Sequence, residues 1–321
     1  MDDASPTKEA ARFAQSLDRL VPTSEVLGLA VSGGPDSLAL LTLAHEVRPA
    51  AIRAITVDHR LRPESATEAE TVAALCRRLG IAHDIVAIDW PDGPPTANIE
   101  AGARDKRYAA FEGWARRHRL HYIATAHHAD DQAETLFMRL ARGAGLAGLA
   151  GIRPRRALRE DLMLVRPLLG WEKAELVGWC QRHDLPIVDD PMNADPQFDR
   201  VRIRRALAEV GFEGSVKWTE SAGHLADAEE ALSWTAQRLA EERLRETDTG
   251  WALVRGTIPR ELLRRLLLVG FERLGDRPPR GPDLARAMET LEKGGQCTLG
   301  TVLLNADGDL WTLAPAPPRN P

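Results

Sequence analysis

The sequence predicts an α/β protein: a doubly wound parallel sheet, then a long helical connector and a smaller α+β C-terminal domain. Three observations carry this expectation. Short apolar runs alternate with stretches of helical period from the N-terminus to about residue 142, the pattern of successive βαβ units. A glycine turn, Ser32-Gly33-Gly34-Pro35-Asp36-Ser37, joins the first apolar run to a helix-favouring one. The chain of 321 residues exceeds one typical domain, and its texture changes after Arg142.

Each element follows in order. Residues 5–20 repeat apolar side chains at helical spacing (Ala10, Phe13, Ala14, Leu17, Leu20). Strand 26–31, the glycine turn and helix 37–47 come next, then strand 52–57 and a helix over 66–80 closed by Gly80. A third strand spans 85–88, a Pro/Gly-rich link 89–96, and a long helix 98–119. A fourth strand, 122–126, runs into His127-His128 and a helix to about Arg142. The glycine-rich stretch 143–151 reads as a loop, 172–184 as a helix and 189–193 as a turn. Residues 216–246 form a polar helical connector, followed by strand 251–255, helix 259–274 and a hairpin over 297–313 turning at 305–309. The expected domains are 1–215 and 216–321.

Composition narrows the function. With 44% hydrophobic and 28% charged residues the chain has the balance of a globular protein. No apolar run approaches the roughly 18 residues of a membrane span, and the acidic start Met1-Asp2-Asp3-Ala4-Ser5 lacks the apolar core of a secretory signal. Cys76, Cys180 and Cys297 are far apart with no CxxC, which excludes a disulfide framework and predicts thiols in a reducing cytoplasm. The net charge of −5 means that any nucleic-acid contact comes from local basic surfaces. Only five of the 42 basic residues are lysine; a GC-rich genome gives the same bias, so arginine clustering is more informative than arginine number.

Four constellations carry candidate chemistry. Adjacent Gly33 and Gly34 let backbone approach a ligand, and successive N–H groups there form an anion nest at a helix N-terminus, with Ser37 adding a donor. An ordinary βα turn has the same outline; Asp36 and Ser37 at the helix start favour a nucleotide phosphate. No lysine follows as in a Walker A loop. The second is Ala124 to Thr135: on a helix His127, Asp131 and Glu134 share one face with Asp130 on its flank. That set suits a cationic substrate or Mg²⁺, although acids in a first turn also stabilise the helix dipole. The third places Arg104 and Arg107 on one helix face, for phosphate or substrate contacts or as a solvated surface. The fourth, Asp199 to Arg205, holds Arg200, Arg202, Arg204 and Arg205 within six residues, enough to meet several phosphates or to serve as solvated charge.

With these residues in hand, the chain resembles the tRNA(Ile)-lysidine synthetases, members of the SGGxDS-loop ATP-pyrophosphatase group with its Rossmann-like fold. The resemblance rests on an ordered series: the loop; Asp58-His59 with Leu61-Arg62; Asn98, Glu100-Ala101, Ala103-Arg104, Arg107-Tyr108; Ala124 to Thr135 continuing through Arg139-Leu140-Ala141-Arg142-Gly143; Arg166-Pro167-Leu168-Leu169; and Asp190-Pro191 with Asn193. Met192 stands where a serine, and Val201 where an asparagine, is expected. The match covers about residues 25–205; the last hundred match weakly, as in a short form with one C-terminal tRNA-recognition domain. The resemblance implies that ATP adenylates the wobble cytidine of a CAU-anticodon tRNA(Ile) and that free L-lysine then displaces AMP. It implies ATP contacts from Ser32, Gly33, Gly34, Pro35, Asp36, Ser37, Asp58 and His59, with Mg²⁺ on Asp36. It implies lysine binding or catalysis by Arg104, Arg107, His127, Asp130, Asp131 and Glu134, and tRNA contacts from Arg139, Arg142, Arg200, Arg202 and Arg204. No membrane partner is expected, since no apolar run is long enough to span one, and a homodimer is left open. Rival readings are a tRNA thiolase or amidotransferase with the same loop, or a non-catalytic nucleotide- or RNA-binding protein.

Overall fold

The computed structural model describes residues 7–60, 64–90, 93, 99–188, 199–209 and 215–317. The expectations placed on residues 61–62, 98 and 189–193, Met192 among them, lie outside the described residues, as do the side chains of Glu100 and Arg200. The chain divides into two compact units, Met1–Ala226 and Asp227–Pro321.

In the first unit, α1 (Lys8–Asp18) starts where the Thr7 hydroxyl accepts the Ala10 N–H at 3.1 Å. Then come β1 (Leu27–Ala30), α2 (Pro35–Val47), β2 (Ile52–Asp58), α3 (Ser65–Leu79), β3 (Ala82–Ala87), α4 (Ile99–His118), β4 (Tyr122–Ala124) and α5 (Ala129–Ala141). Gly80, at φ 69°, ends α3 as expected. The short helix α6 (Leu146–Leu149) interrupts the glycine-rich stretch, and β5 (Arg155–Arg159), β6 (Leu162–Val165), α7 (Lys173–Arg182) and α8 (Asp199–Glu209) follow. The sheet order is β3-β2-β1-β4-β6-β5, parallel throughout except that β5 runs antiparallel to β6. The sequence reading did not anticipate β5 and β6. Four residues of β6 give too short an apolar run, and the arginine-rich β5 is an edge strand whose first three residues are exposed, so it shows no alternation.

Period-two alternation assigns neighbours to opposite faces. Leu29, Ala54, Ala124 and Val165 join a core with Phe13, Leu40, Leu41, Trp171 and Trp179. Ile55, Ile123 and Leu164 join a second core with Phe111 and Trp114 of α4. Helices therefore cover both faces, as a doubly wound sheet demands.

Helix α9 (Ser215–Arg243) crosses the division between the units. The second unit continues with β7 (Leu244–Thr247), β8 (Gly250–Val254), α10 (Arg260–Arg273), α11 (Gly281–Glu292), β9 (Gln296–Leu299), β10 (Val302–Asp307) and β11 (Leu310–Pro315). Its antiparallel sheet has the order β7-β8-β11-β10-β9. The expected hairpin is a three-stranded meander, because Gly300 (φ 63°) makes a second tight turn ahead of the one at Gly308 (φ 56°). Among the described residues no helix is long and apolar enough to cross a membrane.

Candidate active site

From β1 the strand order runs outward through β2 and β3 on one side and through β4 and β6 on the other. The order reverses between β1 and β4, so a crevice opens outside their carboxyl ends, where ligands bind in such sheets. The glycine loop leaves β1 there, and the segment Thr125 to His128 leaves β4. The two are in contact: Asp36 Oδ2 lies 3.5 Å from His128 Nε2.

The loop is shaped by its own side chains. Gly33 sits at φ 90°, its carbonyl accepts the Val188 N–H at 3.0 Å, and a Cβ there would lie 3.1 Å from the Val188 side chain. Only glycine fits both demands. The buried Ser37 hydroxyl accepts the Ser32 N–H at 3.1 Å and donates to the Gly34 carbonyl at 2.9 Å. Expected as an outward donor, Ser37 has its hydroxyl taken up within the loop. Pro35 opens α2, where its missing N–H loses no helical bond.

The expected face of His127, Asp131 and Glu134 is corrected. Helix α5 begins at Ala129, so His127 precedes it, with Nδ1 2.9 Å from the Thr125 hydroxyl. His128 is the capping residue instead, and its N–H donates to Asp131 Oδ2 at 3.0 Å. Its side chain is 3% exposed, with Nδ1 3.3 Å from Asp130 and Nε2 3.6 Å from Asp131 besides Asp36. Burial opposes a charge on this ring, but the nearby Asp130, Asp36 and Asp131 carboxylates outweigh it and lift its pKa to about 10. The site thus holds an imidazolium among three carboxylates. Lys173 closes the group: its N–H donates to Asp130 Oδ2 at 2.9 Å and its ammonium lies 3.7 Å from Asp36. Sequence reasoning singled out neither residue. His128 was visible as the neighbour of His127; Lys173, distant in sequence, carried no signal.

Other expected residues divide. Glu134 is 1% exposed and accepts Arg204 Nε at 2.7 Å, so an expected substrate ligand and an expected tRNA contact are each other's partner. Arg139 donates to the carbonyls of Gly151, at 3.0 Å, and Gly148. Arg142 and Arg202 line an open groove with Met138, Ala141, Ile203 and Ala206. Arg104 donates to the Tyr108 hydroxyl at 2.8 Å. The buried Asp58 carboxylate accepts the Arg60 N–H at 2.9 Å, and Arg107 Nε donates to His59 Nε2 at 3.2 Å.

Burial first, then the Arg107 charge, hold the His59 pKa down at about 4, against the pull of Asp58. A histidine lowered from its usual 6.5 stabilises the fold fully above that value and loses the contribution as pH falls through 4. Thermal unfolding midpoints are therefore expected to drop between pH 6.5 and 4 more steeply for the native chain than for His59→Gln; equal slopes would contradict the assignment.

Buried Cys76 and Cys180 have thiols pushed up to about 11 by burial, which suppresses thiolate chemistry. Among the described residues no group of three or more His, Cys, Asp or Glu side chains is placed to hold a metal ion.

Known proteins resemble this chain over most of its length. The PP-loop domain family matches residues 6–210. The tRNA(Ile)-lysidine synthase of Novosphingobium aromaticivorans is 44% identical over 316 residues, covering 96% of this chain and 94% of that protein. The tRNA(Ile)-lysidine synthase of Methylobacterium nodulans is 38% identical over 339 residues, covering 99% of each. Among solved structures, the U34-tRNA thiolase NcsA from Methanococcus maripaludis superposes with a TM-score of 0.59 at 18% identity, over 68% of this chain and 78% of that one. That likeness concerns the fold alone. By the extent and identity of these matches, the chain belongs to the tRNA(Ile)-lysidine synthase family of PP-loop proteins.

Proposed function

We propose that the chain uses ATP to join free L-lysine to C2 of the wobble cytidine in a CAU-anticodon tRNA(Ile). The observation that carries this reading is the meeting, at the sheet's switch point, of the glycine loop with the Asp36, Asp130 and Asp131 carboxylates around His128. In the first step the C2 oxygen of cytidine attacks the α-phosphorus and pyrophosphate leaves. In the second the lysine ε-amine attacks C2, loses a proton, and AMP leaves.

The chain's residues serve these steps in named ways. The backbone of Ser32 to Asp36 holds the leaving phosphates at the start of α2, where N–H groups and the helix dipole favour negative charge. Asp58 and His59, at the end of β2, take the adenosine half. Asp36 suits Mg²⁺: its Oδ1 is buried and without a hydrogen-bond partner, and Mg²⁺ commonly takes one or two carboxylates together with substrate phosphates. When bound, the ion would offset charge on the transferring phosphate. Asp130 and Asp131, grouped with Asp36 around His128, supply the negative charge that attracts the lysine ammonium. Glu134 acts with them through Arg204, and Arg104, Arg107 and His127 border the substrate. Arg142 and Arg202 contact the tRNA, and Arg139 holds the backbone of Gly148 and Gly151 beside them.

A thiolase reading would need reactive thiols, and burial of Cys76 and Cys180 opposes it. The test is ATP turnover with an unmodified tRNA(Ile) transcript, with lysine added or omitted. AMP release that requires both tRNA and lysine is expected, and Asp131→Asn should raise the lysine KM. Release supported by ammonia in place of lysine would overturn the proposal.

A further inference from the structure

The least expected cluster lies beyond β4. Arg104 on α4, Arg156 on β5 and Arg166 just after β6 gather around one aromatic ring, that of Tyr108. The Arg104 guanidinium carbon is 5.0 Å from the ring centroid and that of Arg156 is 5.3 Å. Arg166 is 4% exposed, donates to the Arg153 carbonyl, and keeps a buried Nε without a hydrogen-bond partner. Among the described residues no carboxylate pairs with any of the three. Burial pulls Arg166 below the ordinary arginine range; Tyr108 works against that, and the like charges of Arg104 and Arg156 add to it.

Three guanidinium groups held this close repel one another, and the ring quadrupole of Tyr108 offsets only part of that repulsion. An arriving oxyanion relieves the rest. Guanidinium forks match phosphate oxygens bidentately, and phosphate contacts fix the register of a nucleic acid without reading its bases. The position is suitable. Thr125, which leads into His127 and His128, donates its N–H to the Val165 carbonyl at 3.0 Å, so Arg166 leaves β6 on the same rim as the candidate active site. The glycine loop and the end of β2 lie on the other side of β4 in the sheet order.

We propose that Arg104, Arg156 and Arg166 around Tyr108 form a cradle for a phosphodiester of the substrate RNA, setting the target nucleotide over the crevice. This rests on the proposed tRNA-modifying activity for its choice of ligand. The same chemistry would suit a phosphate of ATP or the carboxylate of lysine, so the test separates the three.

Arg156 is exposed on an edge strand, so its replacement spares the core. With the intact chain and a fluorescent, unmodified tRNA(Ile) transcript, Arg156→Gln is expected to weaken binding about tenfold. It should also lower the slope of log affinity against log salt, between about 50 and 200 mM, by about 0.7. Arg156→Lys should restore most of the slope, and the ATP and lysine KM values should stay as in the native chain. Unchanged affinity and slope would overturn the proposal, as would a raised KM for ATP or lysine without loss of tRNA affinity. Binding is read without turnover. A native chain that binds tRNA with the expected Arg156 dependence but never forms AMP would refute the activity and keep the cradle; lysine-dependent AMP release with no Arg156 dependence would do the reverse.

Discussion

Replacing Asp36 by asparagine is expected to reduce lysine-dependent AMP formation about a thousandfold, since charge stabilisation at a transferring phosphoryl group is worth several kcal/mol. The change keeps the shape of the side chain and removes its charge. It also takes away one of the three carboxylates around His128 and the one near the Lys173 ammonium, so the effect extends beyond any metal contact. Single-turnover AMP formation measures it, with the thermal midpoint recorded alongside to exclude unfolding. A loss under tenfold in a folded protein would remove Asp36 from the proposed chemistry.

The second large effect concerns stability. In the second unit Arg265 on α10 makes a two-pronged pair with Glu229 on α9, Nη1 to Oε1 at 2.8 Å and Nη2 to Oε2 at 2.7 Å. Its Nε donates to Glu261 at 2.8 Å. Side-chain exposures of 8% for Arg265 and 11% for Glu229 leave little water to screen the charges. Arg265→Met strips Glu229 of both guanidinium donors and is expected to destabilise this unit by about 3 kcal/mol, while Glu229→Leu with Arg265→Met together recovers most of the loss. Denaturant unfolding of the three chains measures both. A single variant within about 1 kcal/mol of the native chain, the median worth of an exposed pair, would show the pair to be weak.

The parts of the molecule that were legible in sequence are those whose cause is local. Helices α1 and α3 repeat apolar side chains at helical spacing and end at a cap or at Gly80, and strands β1 and β2 are short, largely buried apolar runs. The glycine loop could be read because backbone geometry at Gly33 admits no other residue. What sequence concealed depends on partners distant along the chain. Strand β5 has a polar exterior because it is an edge, Lys173 reaches Asp36 only through the packing of α7 on α2, and Arg204 meets Glu134 only where α8 lies against α5. The displacement of His127 had a different origin. Helical spacing puts His127 on one face with Asp131 and Glu134, whereas His128 is extended, at φ −127° and ψ −177°, and the helix begins only at Ala129. Outside the helix the spacing of about 100° per residue does not apply, so His127 leaves that face and His128, as the cap, turns towards the carboxylates.

Residues 143–151 look like a spacer: glycine recurs, and the composition suggests slack. Yet Gln132 of α5 bonds to the backbone of Ile152 in both directions, at 2.5 and 3.1 Å. Arg139, two turns further on, fastens the carbonyls of Gly148 and Gly151. A Cβ at Gly151, already at φ 66°, would meet the Gln132 amide at 2.5 Å. The stretch is therefore a clamp on the helix that carries Asp130 and Asp131. An engineer who chose it for a tag, a fluorescent insert or a new chain terminus, trusting its glycines, would be cutting the support of the active-site helix.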